Sequence, residues 1–320
     1  MKRALPDMNI AVIDMGTNTF HLLVASIKAG YLTQLYKERI PVKIGSGGIS
    51  EGYINDAAIE RGLDACRLFK VKIQEIGVEH VFATATSAVR SAKNGKEFTQ
   101  LVEEQTGISV RIISGDEEAE SIYYGVGKAL AIGEDPALIM DVGGGSIEFI
   151  IGNSNKILWK KSFEMGAQRL LDLFHQTDPM TLDDIDRLKD YTNQQLTPLY
   201  EAAKEYRPKT LIGSSGTFDT LSEIYRLSAG IEAPKRSREF PLSTAGFRQI
   251  YDQLITMNRD QRLKIPGMIE MRVDMIVVAS ILVKCIVEQL KIENIRVSAY
   301  ALKEGILYST IDRLEEKYLV

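Results

Sequence analysis

The chain is poor in cysteine: Cys66 and Cys285 are the only two in 320 residues, far apart and without a CxxC spacing. That excludes a disulfide framework and CxxC redox chemistry, and leaves reduced core thiols in a cytoplasmic protein as the expectation. The three histidines (His21, His80, His175) show no metal-ligand spacing, and no serine- or cysteine-based triad can be assembled. A surplus of positive charge is also missing. With 39 basic against 43 acidic residues the net charge is −4, whereas a general nucleic-acid or membrane-surface binder carries a basic footprint. No long apolar run is present. The most apolar stretch, "MIVVASILVKCIV" at 275–287, is shorter than a bilayer span and interrupted by Lys284, so it reads as a buried core helix. The N-terminal "MKRALPDMN" has no apolar segment behind its two basic residues, so no secretory signal is expected.

What is present is enough apolar residue for a sizeable core, 45%, in a chain too long for one core, which points to about two domains. An internal repeat supports that number. "NIAVIDMGTNTFHLLVASI" and "ALIMDVGGGSIEFIIG" share one layout: apolar strand, Asp, x, Gly, three small polar residues, apolar strand. Asp14 matches Asp141, Gly16 matches Gly143, and Thr17-Asn18-Thr19 match Gly144-Gly145-Ser146. Seven residues after each Asp, a polar residue sits inside the second strand: His21 in one copy, Glu148 in the other.

Each copy is followed by alternating α and β elements. After the first, the pattern predicts strands at 32–41, 80–84 and 110–113, and helices at 55–76, 94–106 and from Gly115. Ile59, Leu63, Cys66, Phe69, Ile73 and Ile76 form the core face of the first helix. After the second come strands at 156–163, 210–213 and 294–297, helical stretches over 181–204, and a helix from Thr217. The last helix is placed at 299–320. Two α/β domains around mixed sheets follow, with the two glycine-rich hairpins expected to face each other across a cleft. No low-complexity linker separates the halves.

Several constellations carry chemistry. Glycine-lined turns let backbone N–H groups approach an anion without an intervening Cβ, and "GTNT" (16–19) and "GGGS" (143–146) both suit phosphate oxygens. Asp141 and Glu148 lie in greasy strands, where an uncompensated carboxylate costs several kcal/mol. Mg²⁺ beside a phosphate offsets that cost; a pair of carboxylates held by hydrogen bonds is the alternative. In "IISGDEEAES" (112–121), Ser114 and Glu117 have capping-box spacing, which leaves Glu118 one position on. A carboxylate there serves the helix dipole, or orients an attacking water and accepts its proton. Arg90, in "FATATSAVRSAKNG" (82–95), grips phosphate bidentately with help from Thr86 and Ser87, or is a solvated surface charge. Asn94 followed by Glu97 looks like a helix cap. "LIGSSGTFDTL" (211–221) again runs strand, glycine turn, helix start. The basic run "KRSR" (235–238) and Lys209 either guide a polyanion or form a solvated loop.

At these residues the sequence resembles the exopolyphosphatase / guanosine pentaphosphate phosphohydrolase (Ppx/GppA) family, within the actin–Hsp70–sugar-kinase superfamily. The matching pieces, in family order from Ile10 to Leu307, are "IDMGTNTFHLL", "ATATSAVRSAKNG", "IISGDEEAE", "IMDVGGGSIEFIIG", "IGSSGTFDTL", "PGMIEMRVDMI" and a weaker "VSAYALKEGIL". The resemblance implies an α/β fold of two ribonuclease-H-like (actin-like ATPase) domains, each a mixed sheet flanked by helices, with a phosphate-binding cleft between them. Residues 1–126 with a C-terminal helix at about 299–320 would form the first domain, and 127–298 the second. Carried over by position, Glu118 matches the catalytic carboxylate, Asp141 and Glu148 the Mg²⁺ site, and Arg90, Asn18, Gly144, Gly145, Ser146, Ser215 and Gly216 the phosphate-contacting positions. Ala301 and Lys303 replace the family's usual glycine and arginine in the last motif. The chain corresponds to the short form without the added helical domain of longer members.

The implied activity is Mg²⁺-dependent hydrolysis of terminal phosphoanhydride bonds. Inorganic polyphosphate is the favoured substrate and guanosine pentaphosphate the alternative. Neither nucleic acid nor membrane is an expected partner; twin-domain members often pair, and a homodimer is the expectation carried over. An actin-like ATPase or sugar kinase, or a non-hydrolytic nucleotide sensor, are the more distant alternatives on the same fold.

Overall fold

The computed structural model describes residues 6–49, 51–232 and 237–318, so Lys235 and Arg236 of the basic run lie outside the described residues. The chain divides into two compact units, Met1–Gly125 with Leu302–Val320, and Val126–Ala301. In chain order the first contains β1 (Met8–Met15), β2 (Phe20–Lys28), β3 (Tyr31–Ile40), α1 (Asp56–Ile76), β4 (His80–Ala85), α2 (Ser87–Ser91), α3 (Gly95–Thr106), β5 (Val110–Ile112) and most of α4 (Gly115–Ala129). The second contains β6 (Ala137–Val142), β7 (Ile147–Gly152), β8 (Ile157–Phe163), α5 (Ala167–Phe174), α6 (Leu182–Gln195), α7 (Thr197–Tyr206), β9 (Thr210–Ser214) and α8 (Ser215–Ser228). It continues with β10 (Glu239–Phe240), α9 (Thr244–Thr256), α10 (Arg259–Arg262), α11 (Met275–Gln289) and β11 (Asn294–Ser298). The last helix, α12 (Leu302–Tyr318), belongs to the first unit.

Among the described residues the first unit's sheet has the order β3-β2-β1-β4-β5, with β1–β3 an antiparallel meander and β4 and β5 parallel to β1. The second repeats that plan as β8-β7-β6-β9-β11, with β10 added antiparallel at the edge. A three-strand meander continued by parallel strands through helical crossovers is the ribonuclease-H-like arrangement, present twice.

Burial explains the strand sequences. β6 and β7 are covered on both faces and all their residues are buried, which is why they read as continuous apolar runs rather than as alternation. β3 is an edge strand, largely exposed, and carries Lys37 and Arg39, charges that discourage pairing with another chain. α1 starts at Asn55, whose side chain accepts the Ala58 N–H, and ends at Gly77 in the left-handed region with φ 70°. The core stripe Leu63, Cys66, Phe69 and Ile73 is buried, with Ile59 and Ile76 packed at its border. α11 is buried on nearly every side. No helix among the described residues is long and apolar enough to cross a membrane.

The thiols do not ionise in the ordinary range. Cys66 is fully buried, and burial pushes it up to about 12; Cys285 is only half-buried, unlike the expected core thiol, and burial pushes it to about 11.

The helical stretches over 181–204 are two helices that meet at the buried Leu196, because Pro198 opens α7 and cannot donate a hydrogen bond to a continued α6. Two local readings change. α8 begins at Ser215, two residues earlier than predicted. Asn94 makes no side-chain cap; its amide instead bridges to Ile54, donating to the carbonyl at 2.8 Å and accepting from the N–H at 3.0 Å. Asn94 is buried, so Asn94→Ala should orphan two backbone groups at roughly 1–3 kcal/mol each. The urea midpoint should fall accordingly with the m-value unchanged; a midpoint equal to wild type would show that the bridge contributes nothing.

Candidate active site

The internal repeat holds at the level of individual hydrogen bonds. After β1 the Gly16 N–H donates to the Thr19 carbonyl at 3.1 Å, and after β6 the Gly143 N–H donates to the Ser146 carbonyl at 3.1 Å. Asp14 stands opposite His21 in one hairpin and Asp141 opposite Glu148 in the other. The parallel neighbours coincide too, with Thr84 beside Asp14 and Ser214 beside Asp141.

In the second unit the turn at 143–146 is held by its carbonyls. The N-terminal end of α5 supplies the donors: Gly166 N–H to Gly145 O at 3.0 Å, Ala167 N–H to Gly143 O at 2.9 Å, and Gln168 N–H to Gly144 O at 2.9 Å. Arg169 Nε adds a second bond to Gly145 O at 2.9 Å. In a trans peptide the C=O and the following N–H point in opposite directions. Three carbonyls fixed toward α5 therefore turn the N–H groups of Gly144, Gly145 and Ser146 the other way. None of the three has a hydrogen-bond partner among the described residues. Successive N–H groups on one side of a turn form an anion-binding nest. The approach of α5 requires glycine at 166, where a Cβ would lie 2.4 Å from the Gly144 carbonyl carbon.

Asp141 and Glu148 are 4% and 1% exposed and directly opposite each other. Of the two readings made from sequence, hydrogen bonding of the pair is seen directly. Asp141 Oδ2 accepts hydrogen bonds from Ser214 Oγ at 2.7 Å and Ser215 Oγ at 2.8 Å, and Glu148 Oε1 accepts from Ser162 Oγ at 2.7 Å. Hydroxyl donors solvate these oxygens and favour the carboxylate form. The donor set of carboxylates and hydroxyls is hard oxygen throughout, which fits Mg²⁺. Among the described residues no cluster of three or more His, Cys, Asp or Glu forms a metal cage, so a cation held here takes its remaining ligands from water and phosphate. Ser215 sits at φ 66°, an uncommon conformation for a residue with a side chain. Gly216 lies under the Arg272 guanidinium, where a Cβ would meet Nη2 at 2.1 Å.

In the first unit Arg90 and Glu118 meet. The Arg90 Nη1 donates to Glu118 Oε2 at 2.8 Å and to the Ile113 carbonyl at 3.2 Å. The side chains are 18% and 8% exposed, so Arg90 is not a solvated surface charge and Glu118 is not without a partner. The capping box is as expected: Glu117 N–H donates to Ser114 Oγ at 3.2 Å and Ser114 N–H to Glu117 Oε2 at 2.9 Å. The Ser114 N–H, with its hydroxyl and Arg111, holds the Glu117 carboxyl below its usual range against a smaller opposing effect of burial. Asn18, buried in the 16–19 turn, has its carbonyl on Lys43 N–H at 2.8 Å, and Thr17 O accepts from Gly45 N–H at 3.2 Å. Lys303 pairs with Glu304 at 3.2 Å, and Ala301 is buried.

Sequence reasoning did not single out Ser162, Ser214, Arg169 or Arg272. Ser214 alone had an available signal. It is the N-cap of α8, yet its side chain makes no cap bond because the hydroxyl serves Asp141.

Known proteins share this fold and sequence. The model of the Ppx/GppA phosphatase family matches residues 23–314. An exopolyphosphatase from Cytophaga hutchinsonii is similar at 44% identity and a TM-score of 0.92, over 95% of this chain and 98% of that one. The PPX-GPPA enzyme of Aquifex aeolicus is similar at 26% identity and a TM-score of 0.78, over 95% of this chain and 100% of that one. With the duplicated fold, the glycine-turn nest and a family match across most of its length, the chain belongs to the Ppx/GppA phosphatase family.

Proposed function

We propose that this phosphatase removes terminal phosphate from inorganic polyphosphate. The observation that carries the reading is the turn at 143–146, whose three outward N–H groups form a cradle for a phosphate oxyanion. The 44% identical relative described as an exopolyphosphatase supports the choice of substrate.

Phosphoryl transfer needs positioning and charge stabilisation more than covalent help. Gly144, Gly145 and Ser146 hold phosphate oxygens through backbone N–H groups. Ser215, Gly216 and Asn18 are assigned to phosphate contacts at the other loops. Glu118 directs a water at the terminal phosphorus and takes its proton. As the new P–O bond forms, the bond to the bridging oxygen breaks, and the shortened chain leaves with the bridging electron pair. Arg90 holds the Glu118 carboxylate in place and contributes its positive charge toward phosphate. Asp141 and Glu148 would hold Mg²⁺, which when bound supplies neutralisation of phosphate charge.

One phosphate-release assay with inorganic polyphosphate, guanosine pentaphosphate and ATP tests the substrate; preference for ATP would overturn the reading. Glu118→Gln should keep polyphosphate binding and lower kcat on the order of 10²–10⁴-fold, the range of a general base. Turnover at the wild-type rate would remove Glu118 from the mechanism. EDTA should abolish phosphate release and added Mg²⁺ restore it. Asp141→Asn should raise the Mg²⁺ concentration for half-maximal rate by at least on the order of tenfold, and full activity in EDTA would rule out the metal role.

A further inference from the structure

We infer that Arg169 is a positioning residue that sets the polarity of the anion-binding turn from its carbonyl side, and that Arg61 does the same for the first turn through an intermediate loop segment. This rests on the reading of the 143–146 turn as a phosphate cradle.

The physical problem is that glycine peptides reverse readily. The freedom that lets Gly144 and Gly145 bring N–H groups to an anion also lets each peptide flip, and a flipped peptide presents a carbonyl oxygen to phosphate. The turn thus has an attractive and a repulsive form of similar backbone strain. What selects between them is the partner of each carbonyl. Gly143, Gly144 and Gly145 each give their carbonyl to an N–H at the start of α5. Gly145 is held twice, by Gly166 N–H at 3.0 Å and by Arg169 Nε at 2.9 Å. Its peptide carries the Ser146 N–H, at the edge of the nest. Arg169 is itself braced by Glu164, 3.2 Å from Nη2, and its side chain is 16% exposed.

The first turn uses the same device with one more link. Thr17 and Asn18 carbonyls accept from Gly45 and Lys43 N–H groups at 3.2 and 2.8 Å, which turns the Asn18 and Thr19 N–H groups away from that segment. The 42–43 segment is gripped in turn by Arg61, whose Nε donates to Val42 O at 2.8 Å and Nη2 to Lys43 O at 3.0 Å. Lys43 is in the left-handed region with φ 49°, and a Cβ at Gly45 would stand 2.6 Å from Thr17 Cγ2. Both turns are therefore held from behind, on the side away from their outward N–H groups.

The test follows amide ¹H–¹⁵N resonances of Gly144, Gly145 and Ser146 while the full chain is titrated with imidodiphosphate, whose nitrogen bridge resists hydrolysis. Wild type should show downfield shifts at these amides. Arg169→Ala should lose them and bind the probe roughly 10–100-fold more weakly, the range of one charge-assisted hydrogen bond. KM should rise in parallel, while the thermal midpoint stays within about 4 °C because Gly166 still holds the carbonyl. Arg169→Lys keeps the charge but not the Nε donor and should recover only part of the affinity; free guanidinium should recover it in Arg169→Ala. Arg61→Ala should weaken probe binding in the same direction. Wild-type affinity in Arg169→Ala, or full recovery in Arg169→Lys, would overturn the inference alone. A wild-type protein that binds the probe without moving these three amides would overturn the cradle itself.

Discussion

The constraint on which the second unit turns is the burial of two carboxylates directly opposite each other at the end of its central hairpin. Asp141 and Glu148 are both nearly sealed from water, in strands whose other residues are all buried too. Such a pair persists only with strong local compensation. The three serine hydroxyls provide part of it. They are delivered by β8, β9 and the first residue of α8, so the acid pair dictates where those three elements must sit. In the function proposed above, the acid pair would hold a cation, and the neighbouring glycine turn would recognise the anion.

Duplication accounts for much of the rest. Both units use the same meander, the same four-residue turn bond and the same parallel neighbour. The copies then diverge in how they brace the turn. A helix start lies directly against one, and a turn segment clamped by an arginine lies against the other. The acid–arginine pair of the first unit stands where α2 and α4 begin after parallel strands, the end of an α/β sheet at which side chains are presented to ligands.

The fold was legible in sequence because its signals are local. Doubly covered strands show as apolar runs at 8–15 and 137–142, the edge strand β3 as charged, and the Ser114–Glu117 cap by its spacing. Elements whose cause is remote were not legible. Ser162 and Ser214 lie 14 and 73 residues from the acids they serve. Arg169 acts on a carbonyl 24 residues away, and Arg272 is shaped by the absence of a side chain at Gly216. Asn94 carries the composition of a helix cap, yet its partner Ile54 is 40 residues distant, and a nearby spacing pattern had no means of competing with that bond. The meeting of Arg90 with Glu118 belongs to the same class: each residue stood out alone, and only the crossover between β4 and β5 joins them.

The two hairpins differ at one place in the chemistry of the side chains that face each other. Where the second copy sets acid against acid, the first sets Asp14 against His21, whose Nε2 lies 3.0 Å from the Thr19 hydroxyl. An acid opposite an imidazole offers a different donor set from an acid opposite an acid. The symmetry of the two hairpins therefore survives in their register and turn hydrogen bonds, while the side chains facing each other have diverged in chemistry.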